Sequence, residues 1–122
     1  MAYSRAVVDG DWIFVSGTTG FDYATMEISE DVAVQADQTF RNITSAMEKA
    51  GFGLEHIVRV HYLLSKAEDF PACFATFQKY LGNVRPAATM FVAGLVDPRM
   101  KIEIEVTGKK PGASLDTGGG LL

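Results

Sequence analysis

Lys101-Ile102-Glu103-Ile104-Glu105-Val106 is the stretch that decides how the chain folds. Ile102, Ile104 and Val106 alternate with two glutamates, the two-residue period of a strand with one face in a core. Glu103 and Glu105 then share the outer face, about 7 Å apart by the strand rise. Upstream, Ile57–Leu64 is rich in Val, Ile and Tyr and apolar on nearly both faces, so it reads as a strand inside the sheet. Residues 87–93 make a further strand, joined to the last one through Gly94-Leu95-Val96-Asp97-Pro98.

Two helices separate these strands. Val32, Ala36, Phe40, Ile43, Met47 and Ala50 recur at three- and four-residue steps, with Ser29 or Asp31 as cap and Gly51 as stop. Phe70, Cys73, Phe74, Phe77 and Leu81 mark the stripe of a second helix over residues 69–81, with Pro71 in its first turn and Gly82 at its end. At the N-terminus, residues 5–8 and 12–16 read as two antiparallel strands around Asp9-Gly10-Asp11. Gly17-Thr18-Thr19-Gly20 is predicted to break that pattern, with loop as far as Ser29. The expected order is strand, strand, helix, strand, helix, strand, strand, an α+β fold with a single domain over residues 1–108 and a flexible tail over 109–122.

The 122 residues are 48% hydrophobic and 21% charged, with one cysteine and a formal net charge of −4. A chain this short buries roughly two-thirds of its unfolded surface, which suits one modest core. A lone cysteine forms no internal disulfide, and no apolar run approaches the roughly 20 residues that span a bilayer, so a cytoplasmic protein is expected. Eleven scattered basic residues against fifteen acidic ones form no footprint for nucleic acid. Two helices cover one face of such a sheet, so the other apolar face predicts a homo-oligomer with any ligand cleft at the seam.

Most catalytic constellations fail on spacing. His56 and His61 are five apart, which on a strand sends them to opposite faces and prevents joint metal binding. Cys73 lies on an apolar stripe, where a thiol packs as a small hydrophobe. Ser16-Gly17 lacks the nucleophile-elbow frame, and no acid–histidine pair is evident to support a triad. The glycines form no phosphate-cradling loop, so no cofactor is expected. What remains is Glu103 and Glu105, either a solvent-facing acidic ladder or, drawn into a seam, a general base that positions a water.

Tyr3-Ser4-Arg5-Ala6-Val7, Trp12-Ile13-Phe14-Val15-Ser16-Gly17, Ala50-Gly51, Asp69-Phe70, Arg85-Pro86-Ala87 and Lys101-Ile102-Glu103-Ile104-Glu105 together resemble, in order and spacing, the Rid (YjgF-type) family over about residues 2–107. The resemblance implies a chorismate-mutase-like mixed β-sheet with two helices on one face, assembled as a homotrimer with inter-subunit clefts. It also implies hydrolysis of reactive enamines and imines to the keto acid and ammonia.

The family's water-positioning glutamate falls on Glu103, and Tyr3, Ser16 and Gly17 match positions that line its cleft. The arginine that grips a substrate carboxylate is absent. Counting from Pro86 puts it at Ala88, and counting back from Leu95 puts it at Ala87. A cleft asparagine of some members falls on Phe74. Arg85 either reaches into the cleft as a substitute or serves as an ordinary loop charge. Losing a bidentate guanidinium–carboxylate pair removes about 1.5–3 kcal/mol. The expectation is therefore deamination of an imine other than the usual 2-imino acids. A non-catalytic metabolite-binding trimer is the alternative, and ribonuclease-type activity a disfavoured third.

Overall fold

The computed structural model describes residues 2–112. Strand β1 (Ala6–Asp9) and strand β2 (Trp12–Thr19) form an antiparallel hairpin, β1 lying one residue later than its sequence pattern suggests. Gly10 turns it with φ +59°, the positive value a two-residue hairpin loop requires at that position. The expected break at Gly17 is a correction: β2 continues through Gly17 to Thr19, and its pairing with the last strand is interrupted by a bulge between Val15 and Thr18. A bulge keeps the ladder while inserting unpaired backbone, so a glycine that resembles a stop in sequence is a local re-aiming of the strand. The loop expected beyond it holds a short two-stranded ladder of β3 (Phe21–Asp22) and β4 (Glu27–Ile28).

Helix α1 (Val32–Lys49) begins where Asp31 Oδ1 accepts the Val34 N–H at 3.0 Å. It ends in a Schellman arrangement, with Gly51 at φ +81° and Phe52 N–H donating to Met47 O at 2.9 Å. Strand β5 (Ile57–Leu64), helix α2 (Phe70–Leu81) and strand β6 (Ala87–Val92) make a parallel crossover unit. Strand β7 (Ile102–Lys109) pairs antiparallel with both β2 and β5. The sheet order is β1-β2-β7-β5-β6. Strand β7 runs to Lys109 and Lys110 N–H donates to Asp11 O, so the paired backbone passes residue 108, where the domain was expected to end. Residues 113–122, the remainder of the expected tail, lie outside the described residues.

One side of the sheet packs on the helices. Phe40, Ile43 and Met47 of α1 and Cys73, Phe77 and Leu81 of α2 close over Ile13, Val15, Val60, Tyr62, Ile102, Ile104 and Val106. The side chain of Phe74, expected on the buried stripe of α2, is instead 50% exposed. Ile57 also departs from simple alternation: it is buried with Val60, and Val58 and Arg59 both face out, because the β5–β7 register slips between Ile57 and Arg59. The opposite side of the sheet leaves Val7, Trp12, Phe14 and Phe91 exposed in the isolated chain. Among the described residues, no helix is long and apolar enough to cross a membrane.

Candidate carboxylate cleft

The period-2 pattern of β7 points Ile102, Ile104 and Val106 into the core and leaves Glu103 and Glu105 on the open side. Glu103 is half-buried because the β2 bulge carries Gly17 against it. A Cβ on Gly17 would lie 2.9 Å from Glu103 Cδ and 3.1 and 3.2 Å from its two carboxylate oxygens. Gly17 does not have positive φ, so what this position requires is space for the carboxylate, not glycine's backbone freedom. Ser16 Oγ donates to Ser4 O at 2.6 Å and Ser16 N–H to Arg5 O at 2.9 Å, which fixes the N-terminal segment beside the bulge. Tyr3, at the start of that segment, is 59% exposed. Tyr3, Ser16, Gly17 and Glu103 thus belong to one corner of the fold.

Burial pushes the Glu103 carboxyl above its ordinary range, and the negative charge of Glu105 on the same face pushes it further. A carboxyl raised in this way holds a proton more readily than a solvated one, which suits a group that exchanges protons with a reacting water. Glu105 itself is exposed and meets His61, whose Nδ1 lies 2.6 Å from its Oε1, while the Phe91 ring sits 5.6 Å from the imidazole. No acid–histidine pair was expected to support a triad; the structure forms the pair His61–Glu105, but Ser16 Oγ donates to Ser4 O and not to it. The register that places His61 opposite Glu105 exists only once β5 pairs with β7.

The second set of predicted residues lies elsewhere. Ala88 pairs with Val60 and, with Arg85, Phe74 and Met90, lines a groove of ≈ 360 Å³ between α2 and β6 on the helix side of the sheet. Ala87 pairs with Arg59 and takes the opposite face. Arg85 sits after α2 with φ +54° and its N–H donates to Leu81 O. That left-handed position favours glycine and costs an arginine roughly 1 kcal/mol. A single chain does not bring Arg85 and Ala88 to Glu103, because Glu103 faces the other side of the sheet. Among the described residues, no cluster of three or more His, Cys, Asp or Glu side chains is placed to hold a metal.

The sequence profile described as "Endoribonuclease L-PSP", that of the YjgF/RutC/Rid proteins, matches residues 1–109. The chain belongs to the Rid family. This Rid-family chain is 29% identical over 109 residues to a RutC family protein of Pyrococcus horikoshii, covering 88% of the chain and 86% of the relative. It is 26% identical to a protein of Dermatophagoides farinae named 2-iminobutanoate/2-iminopropanoate deaminase, covering 84% and 81%. The crystal structure of RidA from an Antarctic Psychrobacter species superposes with a TM-score of 0.85 at 32% identity, covering 90% of this chain and 89% of that one. The mixed sheet with two helices on one face is the fold of these proteins.

Two buried polar side chains of the Rid domain escaped the sequence reading. Gln35 Nε2 donates to Ser29 O and Arg99 O at 2.6 and 2.9 Å, and its Oε1 accepts the Lys101 N–H at 2.9 Å. It thereby ties the start of β7 to α1 and sets where Glu103 begins its strand. Asn42 Nδ2 donates to Thr19 O and Phe21 O, anchoring the far side of the bulge. Their only sequence signal is a polar residue on an otherwise apolar helical face.

Proposed function

We propose that this chain hydrolyses a small reactive imine, with Glu103 as the general base. The observation that carries this reading is the raised, half-buried Glu103 carboxylate packed on the bare backbone of Gly17. As the water oxygen bonds to the imine carbon, Glu103 takes one water proton and passes it to the imine nitrogen, giving a neutral carbinolamine and restoring the carboxylate. Glu103 then carries the hydroxyl proton to the amine nitrogen as the C–N bond breaks and the C=O bond forms, so the net change is imine plus water to carbonyl compound plus ammonia. Membership of a family with a relative named as an imine deaminase supports the reaction class.

The cleft is completed in a homotrimer, where the groove of Arg85, Ala88 and Phe74 on one copy meets the Tyr3, Ser16, Gly17 and Glu103 corner of the next. Support comes from the separation of the two sets within one chain and from the bare apolar face. With alanine at residue 88 and Phe74 in the groove, the substrate is an imine other than the usual 2-imino acids. The same alanine favours the second reading, a trimer that binds a metabolite without turning it over. Ammonia release from a panel of imines with and without carboxylates, measured for wild type and Glu103→Gln, separates them. Turnover that the variant loses supports hydrolysis. Saturable binding with no turnover supports the binding protein, and a monomer by light scattering defeats the two-copy cleft.

A further inference from the structure

On the helix side of the sheet, away from Glu103, α1 and the N-terminal strand enclose a groove of ≈ 410 Å³. Small-molecule sites begin near this size. Its walls carry Arg5, Tyr23, Ser45 and Lys49, and its floor is Ala46 and Ala50. The chain has fifteen acidic residues against eleven basic ones, yet among the described residues that line the groove none is acidic and two are cations. Neither Arg5 nor Lys49 takes part in an ion pair among the described residues. Lys49 sits in the last turn of α1, but the partial charge at a helix C-terminus is roughly −0.5, so most of the combined positive charge stays unanswered.

The Arg5 guanidinium, on an exposed residue, packs on Tyr23. It lies over the Tyr23 ring, 4.3 Å from its centroid, and Nη1 donates to the Tyr23 hydroxyl. A guanidinium has five N–H donors, so this contact orients the fork and leaves donors for an oxyanion. Asn42, which also borders the groove, spends its amide on Thr19 O and Phe21 O and belongs to the scaffold.

We propose that this groove is a second ligand site that binds a small organic anion: an oxyanion, carboxylate or phosphate ester, gripped by Arg5 and Lys49, with an apolar body on the alanine floor. The site is independent of the reaction at Glu103. Ala6, which borders the groove, pairs with core-facing Val15, whereas Glu103 occupies the other face of the sheet.

Titration of the full-length protein with hexanoate, hexyl phosphate, inorganic phosphate and hexanol, followed by amide NMR shifts, tests the assignment. Saturable shifts at Ser45, Lys49 and Ala50 are expected with hexanoate or hexyl phosphate, and the tighter of the two identifies the oxyanion. Arg5→Gln and Lys49→Gln are each expected to weaken binding about tenfold, while Glu103→Gln leaves it unchanged. Binding of hexanol as tight as hexanoate overturns the anion assignment. Hexyl phosphate that binds no tighter than inorganic phosphate overturns the organic one. No shift at these amides by about 10 mM ligand, or loss of binding in Glu103→Gln, overturns the site itself.

Discussion

Replacing Gly17 by alanine tests the carboxylate cleft at its tightest point. Carbon atoms in ordinary contact stand about 3.5–4.0 Å apart. The new methyl would lie 2.9 Å from Glu103 Cδ, so the carboxylate must retreat by roughly 0.6 Å or more. It is the far end of a flexible side chain on the open face and can turn toward solvent, and alanine is itself favoured over glycine in a strand by about 0.5–1 kcal/mol. The melting temperature should therefore change by less than about 5 °C, an effect under roughly 1 kcal/mol. A misplacement near 1 Å costs about 100-fold in rate, so a 10- to 100-fold fall in kcat is expected, equivalent to about 1.4–2.7 kcal/mol of barrier. The assay is ammonia release from whichever imine the wild-type protein turns over fastest, run beside a thermal melt. Gly20→Ala is the control, because its Cβ would meet the Gln35 Cα and carbonyl oxygen at 2.7 Å, backbone that cannot swing away. It should lose well over about 2 kcal/mol of stability. Wild-type kcat in Gly17→Ala, with Gly20→Ala behaving as expected, refutes the claim that Glu103 works from the position Gly17 allows.

Glu103 also predicts a pH dependence. Its folded pKa lies above the ordinary 4.5, so the native state holds the proton more tightly, and stability present below pH 4.5 is lost as pH rises through the folded value. Glu103→Gln should melt higher than wild type at pH 7 and match it below pH 4.5; equal melts at both pH values contradict the burial effect. Ala88→Arg should raise kcat/KM for 2-iminobutanoate by at least about tenfold, since a charge-assisted pair is worth 1.5–3 kcal/mol; no gain in a confirmed trimer argues against the two-copy cleft. Cys73 is fully buried and its thiol is pushed up to about 11 by burial and the nearby charges of Asp69 and Asp31. A thiol reagent at pH 8 should label it only after denaturation, and fast labelling of the native protein contradicts this packing. Gln35→Leu strips partners from Ser29 O, Arg99 O and Lys101 N–H and should cost about 2–4 kcal/mol in chemical denaturation; a loss under about 1 kcal/mol shows the clamp is dispensable.

The candidate site was legible in the sequence to different depths. Glu103 was recoverable because alternation in β7 is strict and its neighbours are aliphatic. Gly17 was found by resemblance and misread as a strand end, since nothing local distinguishes a stop from a bulge. Alternation alone puts Ala87 and Ala88 on opposite faces, but only the parallel register with β5 decided which of them turns to the helix side. His61 was dismissed on its distance from His56, although its partner is Glu105, forty-four residues away in sequence.

The sequence by itself determined the two helices, the five strands of the main sheet and their order, the α+β class, the Gly51 stop of α1 and the burial of Cys73. These follow from periodicity and end signals, which act over a few residues. Only the tertiary structure decided which side chains share a surface. The bulge that seats Glu103 on Gly17, the β5–β7 register that joins His61 to Glu105, and the placement of Arg5 and Lys49 on one groove all depend on contacts between distant segments. A one-residue change of register reverses the face of every side chain in a strand, so no local pattern specifies those meetings.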